Sequence, residues 1–139
     1  MKVRPAAPGD LLARAEMRAQ LWPDGTVEEH AQELVTAEET AFVAEADGVL
    51  IGFIEIAVRS YAEGADGPAP YVEGIWVAPE HRRRGVARAM LEAAEQWAKA
   101  QGFAYLGSDA LIDNEASHAW NRAAGFAEIE RITIFGKPL

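Results

Sequence analysis

Apolar residues recur at two different spacings along this chain, and the switches between them mark its elements. Lys2 to Arg4 reads as a short strand that Pro5 and Pro8 end. From Leu11 to Leu21 the apolar positions Leu12, Ala15, Ala19 and Trp22 follow helical spacing, with Asp10 placed as N-cap. Pro23-Asp24-Gly25 breaks that helix, and Thr26 with Glu29 three residues on forms a capping-box signature for a second helix to about Ala37. Ala41 to Ala46 and Val49 to Arg59 are rich in β-formers and joined by Asp47-Gly48, a strong hairpin signal. After a Gly/Pro/Asp-rich loop from Tyr61 to Pro70, Tyr71 to Val77 predicts a strand terminated by Pro79, in which Gly74 marks a bulge or a close approach. Gly85 to Gln101 carries a broad apolar stripe at helical spacing, and Gly102 is placed to end it. Phe103 to Gly107 reads as a buried strand, Asn114 to Ala123 as a helix stopped by Gly125, and Ile129 to Phe135 as a closing strand.

No repeat, low-complexity tract or linker interrupts these elements, so the 139 residues predict one domain, 1–139, with a core that needs no staples. There is no cysteine, which excludes a disulfide framework and a thiol nucleophile. No apolar run has the length of a membrane span, and Met1-Lys2-Val3-Arg4-Pro5 lacks the apolar core of a signal peptide; the expected compartment is the cytoplasm and no membrane partner is expected. A net charge of −9 disfavours nucleic acid as a partner and suits a cationic one.

Against that acidic background stands one basic run, His81-Arg82-Arg83-Arg84-Gly85-Val86-Ala87, between a strand and a long helix. A tight turn entering a helix leaves backbone N–H groups unpaired at the positive end of the dipole, where they can wrap a pyrophosphate. Gly85 and Ala87 keep side-chain bulk away, and the arginines add charge. A GxxxxGK loop and a GxGxxG turn are both absent. A basic helix start on a solvated face is the plainer alternative.

The order Arg-x-x-Gly-x-Ala, preceded by Val77-Ala78-Pro79-Glu80 and followed by Arg88-Ala89-Met90-Leu91, resembles the coenzyme A pyrophosphate loop of the GCN5-related N-acetyltransferases. The resemblance runs end to end. Leu21-Trp22-Pro23-Asp24, Glu73-Gly74-Ile75-Trp76-Val77, Ser108-Asp109-Ala110, Asp113-Asn114, Ser117-His118-Ala119 and Glu130-Arg131 are similar to the short aminoglycoside 6′-N-acetyltransferases of that superfamily. It implies an α/β (α+β) fold, a central mixed and mostly antiparallel sheet flanked by about four helices. Also implied are acetyl-CoA as co-substrate, an aminoglycoside 6′-amine as acceptor, and antibiotic resistance as the outcome. The cofactor contacts implied are Ile75, Trp76 and Val77 for the acetyl-pantetheine arm, Arg82, Arg83, Arg84, Gly85, Val86 and Ala87 for the pyrophosphate, and Asn114. Trp22, Tyr61, Glu73, Asp109 and Glu130 match the family's aminoglycoside contacts.

Each acceptor residue also has a purely structural reading: Trp22 as core, Tyr61 as loop anchor, Asp109 as a turn cap, Glu130 as an exposed strand residue. Glu73, in a strand beside Gly74, predicts a polar cavity, because burying it unpaired is costly. His118 is alone on its helix, and His30 and His81 lack ligand spacing, so no metal is expected. An ammonium must lose a proton before it can attack a thioester, and Glu73 and Asp109 are the candidates to relay it through water. A backbone N–H near Val77 is the candidate for oxyanion stabilisation. Many members of the superfamily carry a tyrosine four residues before the Gly-Phe pair as general acid; here that position is Asn121. The β-rich C-terminal third, with edge strands to cover, together with the resemblance predicts a homodimer. Alternatives are an acetyltransferase for a polyamine or protein amine, or a non-catalytic acyl-CoA-binding module.

Overall fold

The computed structural model describes residues 1–139. One five-stranded sheet runs in the order β1 (Lys2–Pro5), β2 (Thr40–Ala46), β3 (Val49–Arg59), β4 (Ala69–Val77) and β5 (Gly107–Ser108). Only the β4–β5 pair is parallel, so the sheet is mixed and mostly antiparallel. Asp47 and Gly48 both have positive φ, 51° and 76°, which matches the twist of the hairpin they close. The four helices are α1 (Leu11–Leu21), α2 (Val27–Thr36), α3 (Val86–Ala100) and α4 (Glu115–Ala123).

The two sheet faces take different helices. On one, Met17 of α1 packs against Val43 and Phe53. On the other, Val86, Met90, Leu91 and Ala94 of α3 pack against Ala44, Ile54, Ile56, Val72 and Val77. Phe53 and Ile54 are consecutive, so strand alternation sends them to opposite layers. The Thr26–Glu29 capping box forms as expected, the Thr26 hydroxyl accepting from the Glu29 N–H at 3.1 Å.

Several expectations need correction. Asp10 precedes α1 but does not cap it: its carboxylate accepts from the Ala7 N–H at 2.7 Å and pairs with Arg4 at 2.7 Å, a charge-assisted partner that outcompetes the exposed helix N–H groups. Leu12 is exposed, and the inward face of α1 is instead Ala15, Met17 and Arg18. The strand foreseen over Phe103 to Gly107 shrinks to Gly107–Ser108. Ile129 to Phe135 forms no strand at all, and residues 127–139 make no backbone hydrogen bond. A strand needs a partner edge, and two-residue β5 offers almost none.

Candidate active site

The strands β4 and β5 pair only at Tyr71↔Gly107 and Val72↔Ser108. Beyond that point they separate, so from Glu73 to Val77 the outer edge of β4 carries no ladder; of the backbone groups on that side the Val77 carbonyl accepts from Arg82, and the rest are left for another partner. At the end of β4 the basic turn begins. The Arg82 Nε donates to the Val77 carbonyl at 2.8 Å and ties the turn to the strand. Arg83 and Gly85 take left-handed φ values, 61° and 81°, which tilt the following peptides outward. None of the backbone N–H groups of residues 83–88 meets a protein acceptor, and Arg82, Arg83, Arg84 and Gly85 are exposed. A β-carbon at Gly85 would have no heavy atom within 4 Å, so it would project into the open space those N–H groups border. Free N–H donors at a helix N-terminus, in a run that carries three arginines, fit a pyrophosphate. Val86 is buried and anchors α3, so its contribution to such a site is its backbone.

A cavity of about 390 Å³ opens where β4 and β5 part, between the Tyr61–Pro70 loop, α4 and the C-terminal segment. Tyr61, Asp109 and Glu130 line it together, as do His118 and Asn121. Tyr61 donates to the Glu63 carboxylate at 2.9 Å, which raises the phenol's pKa, and the Glu63 charge likewise raises that of Glu130. Tyr105 donates to the Glu63 backbone carbonyl and holds the loop to the cavity wall. Two further expected residues lie apart from it. Trp22 sits on the α1 face, its ring against Gly74 and 6.4 Å from that of Phe53. Asn114 caps α4, accepting from the Ser117 N–H at 3.1 Å.

Glu73 does not face an open polar cavity. The register passes from Glu55↔Gly74 to Ile56↔Val72, leaving Glu73 as the extra residue of a β-bulge. Its two oxygens accept from Arg59 Nε and Nη2, each at 2.9 Å, and Arg59 Nη1 reaches Asp109 at 3.3 Å. The same guanidinium lies 3.8 Å from the centre of the Tyr71 ring. Its ion pair with Glu73 raises an already high pKa, so it stays charged. Sequence reasoning missed Arg59, Glu63 and Tyr71. A lone arginine closing an apolar strand two residues before Tyr61 was the available signal.

It also missed a buried cluster beneath Trp22. Glu55, 1% exposed, meets Arg14 at 3.1 Å and Arg18 at 3.2 Å. Burial and then the charge of Glu39 push its carboxyl up to about 7, against the pull of the arginines. Arg18 Nε donates to His30 Nδ1 at 3.3 Å, which leaves His30 Nε2–H to donate to the Trp22 carbonyl at 3.0 Å. Arg14 and Arg18, four apart on one helix face, with a carboxylate inside Ile54-Glu55-Ile56, were the legible trace. His118 is satisfied locally, its Nε2 lying 2.8 Å from the Leu111 carbonyl.

Residues 10–126 match the model of the Acetyltransferase (GNAT) family. An aminoglycoside N(6′)-acetyltransferase type 1 from Klebsiella aerogenes is 39% identical, over 99% of this chain and 96% of its own. The crystal structure of an aminoglycoside 6′-N-acetyltransferase from Acinetobacter haemolyticus superposes with a TM-score of 0.91 at 34% identity, covering 100% of this chain and 99% of that one. A second aminoglycoside acetyltransferase structure, in complex with a bisubstrate analogue of coenzyme A and acetylneamine, gives a TM-score of 0.89 at 33% identity, covering 99% and 98%.

Proposed function

The chain belongs to the Acetyltransferase (GNAT) family, and on that footing we propose that it transfers the acetyl group of acetyl-CoA to the 6′-amine of aminoglycoside antibiotics and so confers resistance to them. The observation that carries this reading is the run of unpaired backbone N–H groups entered directly from the free edge of β4, on a sheet whose β4–β5 pair also borders the cavity lined by Tyr61, Asp109 and Glu130. The relatives named above support the choice of acceptor.

Arg82, Arg83, Arg84, Gly85, Val86 and Ala87 hold the pyrophosphate on this reading, mainly through main-chain donors, with Ile75, Trp76 and Val77 binding the pantetheine arm and Asn114 beside it. When bound, acetyl-CoA supplies an activated acyl thioester. Tyr61, Asp109 and Glu130, which line the cavity, hold the polycation, with Trp22 and Glu73, which lie outside that lining, as the further contacts the family resemblance implies. Glu73 and Asp109 are the groups that take the ammonium's proton, through water, so that its lone pair is free to attack. A main-chain N–H near Val77 stabilises the negative oxygen that develops. Asn121 offers only an amide, already donated to the Ser117 carbonyl at 2.8 Å, so no general acid is assigned.

Residues 1–139 act as one domain on this reading, in the cytoplasm, where acetyl-CoA is available; no helix is long and apolar enough to cross a membrane. We infer a homodimer from the exposed Ile132, Ile134 and Phe135 of the C-terminal segment. The decisive test of the acceptor is free-thiol release from acetyl-CoA with a panel of amines. Kanamycin and tobramycin should be turned over, and analogues with a 6′-hydroxyl should not. Turnover of a polyamine or peptide alone would leave only the family assignment.

A further inference from the structure

We propose that Arg59 is a built-in competitor of the acceptor: its guanidinium sits on the Glu73 and Asp109 carboxylates, and an ammonium takes that pair only by displacing it. This rests on the reading of the cavity as an amine site. Three strands bring the parts together, Arg59 from the end of β3, Glu73 from the β4 bulge and Asp109 just past β5. The contact has the form of a substrate contact, a cation forked across a carboxylate at 2.9 Å on both oxygens and stacked at 3.8 Å on an aromatic ring. The Arg59 side chain is nonetheless 38% exposed, so it has solvent to swing into.

Displacement removes the same ion pair and stack whatever the acceptor, so it weakens every amine by one common factor. An amine with a single ammonium in reach gains little beyond what the guanidinium already had. An acceptor with several retains net affinity, because Glu63 and Glu130 line the same cavity for its further ammonium groups; Arg131 there is already paired with Glu128, and Arg122 is the remaining cation of the lining. Arg59 therefore raises the affinity that an acceptor's other ammonium groups must supply, without changing the ratio between one acceptor and another.

Calorimetric titration of the full chain, saturated with coenzyme A, tests this with two probes, kanamycin and 1,5-diaminopentane, on wild type, Arg59→Gln and Arg59→Lys. Gln removes the charge and keeps an N–H donor at the position of Nε, and Lys keeps the charge. Arg59→Gln is expected to tighten both probes by about tenfold, with Arg59→Lys close to wild type. Unchanged or weaker binding of both probes in Arg59→Gln overturns the proposal and makes Arg59 a positioner of Glu73. Circular dichroism of each variant verifies the fold, and Arg59→Lys binding more tightly than Arg59→Gln also overturns it. Failure of the acceptor reading shows separately, as wild type releasing no thiol with any aminoglycoside while the diamine comparison still reports on Arg59.

Discussion

A β-carbon added at Gly74 would lie 2.5 Å from Cη2 of Trp22, so the bulge of β4 and the end of α1 are fitted to each other through the absence of one methyl group. The Trp22 ring cannot retreat freely, since Arg18 lies 5.1 Å from its centre and the His30 ring 6.2 Å away. Gly74→Ala should therefore cost about 1–3 kcal/mol of stability through overpacking. Trp22→Leu should absorb most of that cost, and thermal unfolding of the two single variants and the double measures the coupling. Additive effects would mean that the two residues do not constrain each other.

Gly85 tests the anion turn. Its φ of 81° is left-handed, so any side chain there is strained by roughly 1–2 kcal/mol, but nothing blocks the space. Gly85→Ala should consequently fold and bind coenzyme A with a modest loss, whereas Gly85→Asp puts a carboxylate among the free N–H groups and should abolish binding. Calorimetry with coenzyme A separates the two. Full affinity in Gly85→Asp would place the pyrophosphate elsewhere.

Glu55 makes stability depend on pH. Its carboxyl is pushed up to about 7 in the fold, above its value in the open chain, so the native state binds more protons than the unfolded one between roughly pH 4.5 and 7. That contribution is fully present below the window and is lost as pH rises through it. Wild type measured against Glu55→Gln, which does not titrate, should lose up to roughly 3 kcal/mol of relative stability from pH 5 to 8. A constant difference in urea midpoints would mean that Glu55 is ionised throughout, held by Arg14 and Arg18.

What the sequence made legible follows from how local each signal is. The Asp47-Gly48 turn, the Thr26–Glu29 box and the α3 stripe are fixed by neighbours in the chain, and all three appear. The Arg82–Ala87 turn was readable for the same reason, since six consecutive residues set its backbone. Arg59, Glu73 and Asp109 meet across three strands, and no spacing rule links positions 14 and 50 residues apart. The Gly74 signal was local, but it concealed that the bulged residue is Glu73 and that the close approach is by Trp22. Ile129 to Phe135 shows the opposite failure, a local β pattern with no edge to join.

Asp109 is exposed at the cavity mouth and reaches Arg59 at 3.3 Å, so Asp109→Asn alters charge with little effect on packing. Losing one charged partner of the acceptor amine is worth roughly 1.5–3 kcal/mol, which predicts a ten- to hundredfold fall in kcat/KM for kanamycin or tobramycin. Coenzyme A affinity should stay at the wild-type value, because the turn is untouched. A rise in KM alone would assign Asp109 to binding and leave the proton relay to Glu73, and Glu73→Gln should then lower kcat.

The C-terminal segment carries the last prediction. Ile132, Ile134 and Phe135 are 71%, 85% and 90% exposed, in a stretch whose backbone donors and acceptors have no protein partner. An apolar stretch with free backbone groups is a template for another chain, and pairing or packing with a second copy would satisfy both at once. Wild type should sediment as a dimer at micromolar concentration. Ile134→Asp with Phe135→Asp places two charges where the apolar groups stand and should give a monomer that keeps the thermal stability of the sheet, since neither side chain belongs to the core clusters. Glu130 lies in the same segment and lines the acceptor cavity, so the monomeric variant should also bind kanamycin more weakly while binding coenzyme A as before. A wild-type monomer under these conditions would remove the dimer, and a monomeric variant with unchanged kanamycin affinity would separate the segment's assembly from the site.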